Sequence, residues 1–172
     1  FTGIRVGELC ALRWENICLQ DRVLCVQHTM QRIQTDMPSD QKTKVMITSP
    51  KSKHSIRVIP LPEDFAKLLA SIRPESSSGF FLTGREHHWV EPRSMQNHFK
   101  RVLQCCAIAP ANFHALRHTF ATRCVELGFD LKSLSEILGH ANVNITMNRY
   151  VHPSMELKRD HMQKLSSLFA VK

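Results

Sequence analysis

Apolar positions along the 172 residues change period twice, and the changes divide the chain. Over 3–14, Ile4, Val6, Leu9, Cys10 and Leu12 recur at helical spacing, with Arg5 and Glu8 on another face and Thr2 placed to cap the helix. From 22 to 32 the pattern becomes the short apolar run Val23-Leu24-Cys25-Val26, which predicts a strand. Residues 34–44 are polar, contain Pro38 and read as a loop; 44–48 and 55–59 read as two further strands joined by Ser49-Pro50-Lys51-Ser52-Lys53-His54. The three runs make a small antiparallel sheet, ended by Pro60 and Pro62. A helix is expected over 63–72, and Ser76-Ser77-Ser78-Gly79 marks a loop.

Beyond about residue 92 the period is helical throughout. Helices are predicted over 93–107, over 114–127 with Gly128 as its stop, over 131–138 with Gly139 as its stop, and over 144–150. A fifth, amphipathic helix is expected over 155–169, with Met155, Met162, Leu165, Leu168 and Phe169 as its stripe. The fold class is mainly α with a small three-stranded antiparallel sheet (α+β). The start at Phe1-Thr2-Gly3, without an initiator Met, enters the middle of a structural unit. The chain is therefore expected to be a fragment, 1–172 forming one domain.

Composition narrows the function. Apolar residues at 42% can bury a core, which excludes a disordered chain. No run approaches the length of a membrane span. Lys and Arg total 23 against 15 Asp and Glu, a formal charge of +8, which points to a polyanion, most often nucleic acid. The cysteines Cys10, Cys18, Cys25, Cys105, Cys106 and Cys124 contain no Cys-x-x-Cys and sit in apolar segments. They read as reduced, buried thiols of a cytosolic protein, with neither a zinc ribbon nor a disulfide framework.

Candidate chemistry rests on few side chains. Arg5 follows Thr2-Gly3-Ile4; Lys51 and Lys53 lie between two strands; His114 and Arg117 share a helix face; His140 follows Leu138-Gly139; and Tyr150 is the chain's one tyrosine. Two guanidinium forks can hold the non-bridging oxygens of a phosphodiester. A phenol can act as nucleophile if nearby cations stabilise the phenolate and a neutral histidine takes its proton. A lysine can protonate the leaving sugar oxygen. These residue types therefore suit metal-free phosphoryl transfer through a phosphotyrosine, although their spacing alone does not bring them together.

Each residue also has a plain reading. Arg5 could be a surface arginine and Glu8 its helix ion-pair partner; Lys51 and Lys53 could be solvated turn residues; His140 could serve a helix terminus and Tyr150 a core. His114 and His118, four apart, have the spacing of zinc ligands. The position of a metalloprotease's glutamate is Ala115, however, and Arg117 would repel a cation. No metal or cofactor is expected.

The boxes Thr2-Gly3-Ile4-Arg5-Val6-Gly7-Glu8-Leu9, Phe113-His114-Ala115-Leu116-Arg117-His118-Thr119-Phe120-Ala121-Thr122, Leu138-Gly139-His140 and Tyr150 resemble the signature of the tyrosine recombinases. They match in order and spacing through almost the whole chain. The ten-residue step from His140 to Tyr150 is similar to that of integrases from Gram-positive phages and conjugative transposons.

The resemblance implies a tyrosine recombinase catalytic-domain fold that lacks the family's N-terminal DNA-binding domain and the start of the catalytic domain. It implies that Arg5 and Arg117 clamp the scissile phosphate, that His114 and His140 assist proton transfer and phosphate binding, and that Tyr150 attacks phosphorus. Lys51 aligns as the acid for the leaving 5′ oxygen, with Lys53 as fallback; Glu8 and His118 are supporting residues. It further implies double-stranded DNA as partner, a tetrameric synapse to which 155–169 could contribute by docking on a neighbouring protomer, and action in the cytoplasm of a bacterial host, at the nucleoid. Packing of 155–169 on its own domain is the alternative. A non-cutting DNA-binding descendant and a type IB topoisomerase remain the alternative functions.

Overall fold

The computed structural model describes residues 1–34, 43–50, 55–75, 78–150 and 155–164. The first helix, α1 (Val6–Ala11), starts later than its apolar spacing suggests, with Arg5 rather than Thr2 at the N-cap. The reason lies at Gly3, whose φ of +61° is a left-handed conformation that cannot extend a helix. A Cβ there would stand 2.5 Å from the Phe120 ring. Glu8, three residues beyond the cap, accepts the Arg5 backbone N–H at 2.8 Å and helps start the helix.

The expected strand over 22–32 is two strands. The chain breaks at Gln27-His28 into β2 (Val23–Val26) and β3 (Thr29–Gln34). The break lets each half find its own partner. β2 is the centre of a three-stranded antiparallel sheet with β1 (Ile17–Cys18) and β5 (Arg57–Pro60), in the order β1-β2-β5. β3 pairs with β4 (Thr43–Thr48) in a separate two-stranded ribbon, Thr29 opposite Thr48 and Gln34 opposite Thr43. The expected three-stranded sheet thus exists with different members: β1 takes the place assigned to 44–48. β1 follows a single 3₁₀ turn at Trp14–Asn16.

β5 alternates strictly, Arg57 and Ile59 inward and Val58 and Pro60 outward. Ile59 joins Leu24, Val26, Trp14, Leu12 and Leu61 in a core closed by Ala66 and Leu69 of α2 (Glu63–Ser71). The same parity sends Arg57 into the interior, where it needs polar partners. A second core joins Cys10 and Ala11 of α1 to Met30 of β3 and Phe80.

The helical half follows the expected order: α3 (Pro92–Cys105), α4 (His114–Glu126), α5 (Leu131–Leu138), α6 (Val143–Tyr150) and α7 (Met155–Lys164). Ala121 and Cys124 of α4 pack on Leu134 and Leu138 of α5, with Tyr150 of α6 partly covered by the same cluster. Asp130 caps α5 by accepting the Ser133 N–H at 2.8 Å. At its other end Gly139 takes φ +65° and reverses the chain.

The thiols depart from expectation: Cys10 and Cys124 are buried, Cys18 and Cys25 partly so, and Cys105 and Cys106 are exposed at the end of α3. All six are free. Met155 and Met162 of α7 are 64% and 65% exposed. Among the described residues no helix is long and apolar enough to cross a membrane. The predicted loop over 34–44 falls largely outside the described residues, as do Lys51, Lys53 and the end of the 155–169 helix.

Candidate active site

The C-terminus of α5 organises the site. A helix ends with four carbonyls that lack an intrahelical donor. Two are met by the reversing chain: the His140 N–H reaches the Ser135 carbonyl and the Gly139 N–H reaches that of Glu136, both at 3.0 Å. The other two, and the carbonyl of the cap residue Gly139, each hold a different arginine. Arg57 donates Nε to Ile137 O at 2.6 Å, Arg117 donates Nη2 to Leu138 O at 2.6 Å, and Arg5 donates Nη2 to Gly139 O at 3.0 Å. The partial negative charge of a helix C-terminus suits these cations.

One carboxylate serves the cluster. Glu8, 4% exposed, accepts Arg57 Nη1 at 3.1 Å on Oε1 and Arg57 Nη2 at 2.9 Å on Oε2, and Arg5 Nη1 at 2.8 Å on Oε1. Burial by itself pushes the Glu8 carboxyl up, but the Arg57 fork and charge, with the Arg5 donors, hold it below its usual value. Arg57 spends four N–H groups inward, the fourth contact being Ser55 O at 3.1 Å. It is a strut between β5, α1 and α5.

Arg117 is 3% exposed and has no carboxylate partner among the described residues. Carbonyls alone hold it: Leu138 O, and Gly3 O at 2.7 Å from Nη1. Burial first, then repulsion from Arg5 and Arg57, pulls its pKa down to about 10, so it stays charged at neutral pH. Among the described residues Glu8 pairs with two of the three guanidinium groups, Arg5 and Arg57, and Arg117 has none, which leaves net positive charge around Arg5 and Arg117. Arg5, with a side chain 37% exposed, faces outward. A groove between α3 and α4 leads to Arg117 past Gln96, Lys100, Asn112 and His114.

The three histidines differ in what they touch. His140, pinned just past Gly139, has Nδ1 at 2.8 Å from Thr146 Oγ1, a wholly buried hydroxyl on α6. Burial, then Arg117, Arg5 and Arg149, pull its pKa down to about 4. His114 is exposed on α4, and its ring meets that of His118 edge-on with centroids 4.6 Å apart. His118 in turn has Nδ1 2.8 Å from the Tyr150 hydroxyl. Burial and neighbouring positive charge lower both, so both are neutral at pH 7. Tyr150 is half-buried; burial raises its pKa while Arg117 and Arg149 oppose the rise.

The structure therefore gathers Arg5, Glu8, Arg117, His140 and Tyr150 from three distant stretches, with His114 at the edge. Lys51 and Lys53 lie outside the described residues. Three contributors were not marked in the sequence. Arg57 falls in the segment that resembles the family around Lys51 but was given no role there; its inward parity in β5 is the signal for an interior place. Thr146 is signalled by its place one turn before Tyr150, and Arg149 by nothing beyond its charge.

The helical unit, the small sheet and this constellation define a tyrosine recombinase catalytic-domain fold. A solved structure of the Tn1549 transposon integrase in complex with circular intermediate DNA superposes with a TM-score of 0.75 at 25% identity, over 95% of this chain and 56% of that one. Residues 1–156 match the model of the phage integrase family, and the chain belongs to that family. It is 30% identical over 184 aligned residues to a tyrosine recombinase XerC-like protein of Caldanaerobacter subterraneus subsp. tengcongensis, covering 98% of this chain and 47% of that protein. It is 25% identical over 184 aligned residues to the transposase from transposon Tn916 of Enterococcus faecalis, covering 96% and 43%. The chain spans about half the length of the curated relatives it matches.

Proposed function

We propose that the chain is the catalytic part of a site-specific DNA recombinase that integrates or excises a mobile element by cutting and rejoining DNA through a 3′-phosphotyrosine. The observation that carries this reading is the pair Arg5 and Arg117. Both are held by backbone carbonyls, Arg117 without a carboxylate partner among the described residues, and Arg117 stands in the electrostatic neighbourhood of Tyr150. A phosphodiester between the two guanidiniums would gain charge-assisted hydrogen bonds that strengthen as negative charge builds on its oxygens. His140, neutral and tethered to Thr146, can donate Nε2–H to the same oxygens, with His114 beside it as a second imidazole.

Tyr150 attacks phosphorus, the bond to the 5′ oxygen breaks, and Lys51, with Lys53 as fallback, protonates the departing oxygen. The resulting 5′-hydroxyl, or that of a partner strand, reverses the step. One phosphodiester is exchanged for another, so the bond energy is kept in the phosphotyrosine. The partners are duplex DNA and further copies of the protein, four at a synapse, with the segment after Tyr150 as a contact between them. The setting is the bacterial cytoplasm, at the nucleoid.

Incubation with a nicked suicide duplex tests the reading. A covalent protein–DNA adduct is expected from wild type and none from Tyr150→Phe, which should still bind DNA. Wild type that binds the duplex and yields no adduct would overturn it in favour of a non-cutting DNA-binding protein. Relaxation of supercoils without site preference would instead indicate topoisomerase activity.

A further inference from the structure

Among the described residues, the imidazole in hydrogen-bond contact with the nucleophile is neither of the histidines that the resemblance puts to proton transfer. His140 is engaged with Thr146, and His114 meets the ring of His118. Among the described residues His118 alone has a ring nitrogen, Nδ1, within hydrogen-bond distance of the Tyr150 hydroxyl, at 2.8 Å. The helices fix this contact. His118 lies one residue beyond Arg117 on α4, and Tyr150 closes α6, whose Thr146 is buried and tied to His140. Tyr150 rests against the α4–α5 cluster, so its ring is packed while its hydroxyl is held.

We propose that His118 is the group that positions the Tyr150 hydroxyl and accepts its proton as the phenol attacks phosphorus. The inference rests on the recombinase reading given above. In the step, the Tyr150 O–H bond breaks and its proton moves to His118 Nδ1. An oxygen electron pair forms the O–P bond, the bond from phosphorus to the 5′ oxygen breaks, and that oxygen takes a proton from the acid on its own side. His118 ends as imidazolium and returns the proton when the phosphotyrosine is resolved. The groups facing His118 are Arg117 and His114 on its own helix and Arg149 and Tyr150 on α6. No carboxylate is among them in the described residues, so before the step the imidazole is neutral and able to accept.

His118→Asn keeps a hydrogen-bonding group at the Nδ1 position but cannot take up a proton. Single-turnover adduct formation on a suicide duplex should fall about 10²-fold or more at neutral pH. The deficit should narrow as pH climbs toward the phenol's own ionisation, which burial holds above the ordinary tyrosine value, while DNA affinity stays unchanged. Nitrogen NMR of the labelled imidazoles, with His118 assigned by its loss in the variant, should show Nδ1 unprotonated and shifted by Tyr150→Phe. A purely structural role would lower thermal stability and leave the pH profile of cleavage as in wild type.

A His118→Asn variant that cleaves at the wild-type rate with the wild-type profile overturns the proposal, as does an Nδ1–H tautomer. Wild type that binds the duplex and forms no adduct overturns the recombinase reading instead, and the proton transfer with it.

Discussion

Glu8 and Arg57, 49 residues apart in sequence, form a buried two-point ion pair, Nη1 to Oε1 at 3.1 Å and Nη2 to Oε2 at 2.9 Å. The same carboxylate holds Arg5. Removing its charge would leave buried cations without their counter-ion, a change that costs far more than such a pair contributes net. Glu8→Gln is therefore expected to lower unfolding stability by about 3 kcal/mol, read from denaturant melts at neutral pH. The depressed carboxyl adds stability above the usual carboxylate range and loses it as pH falls through the lowered value. The variant's stability should accordingly fall less steeply in acid. A variant with wild-type stability and acid response would show that the pair does not hold the site together.

His140 gives a second pH signature. Its folded-state pKa of about 4 lies below the ordinary histidine value of 6.5. Over that interval the unfolded chain binds more protons, so stability is complete above pH 6.5 and erodes as pH falls toward 4. An anion between Arg5 and Arg117 should raise the His140 pKa by offsetting their repulsion. Imidazole NMR with and without a DNA duplex measures this directly, and an unchanged His140 titration on saturated DNA would count against phosphate binding there.

Arg117→Lys should separate folding from chemistry. A lysine keeps the charge but cannot span Gly3 O and Leu138 O while presenting a fork to phosphate. Adduct formation is expected to drop by about 10²- to 10³-fold with circular dichroism unchanged. A drop below threefold on the same substrate would argue that charge alone suffices.

Gly139→Ala tests the turn. At φ +65° an added Cβ would sit in left-handed backbone, 3.0 Å from Arg57 Nη1 and 3.1 Å from its Cδ. The strain is about 1–2 kcal/mol from the backbone, with displacement of Arg57 in addition. Both thermal stability and adduct rate should fall, since Gly139 O also holds Arg5.

Much of this was legible beforehand because it is local. Helical spacing located α2 to α6, and Gly128 and Gly139 marked two helix ends. Arg5, His114, Arg117, His140 and Tyr150 stood out as residue types that suit phosphate chemistry. What escaped depends on long-range pairing. The break at Gln27-His28 sends β2 to β5 and β3 to β4, and periodicity within 22–32 cannot show which partner each half takes. Arg57 had no role assigned from the sequence; β5 parity and the Glu8 carboxylate give it an interior place. His118 looked subordinate to Arg117 beside it, because its contact with Tyr150 crosses 32 residues.

The three carbonyls at the end of α5 have a mechanical consequence. Because Ile137, Leu138 and Gly139 each anchor one arginine, these cations share a common origin, much as tools clamped in one jig do. Displacing the end of α5 would therefore disturb all three anchors at once. A lesion near Gly139 would misalign the guanidiniums relative to one another.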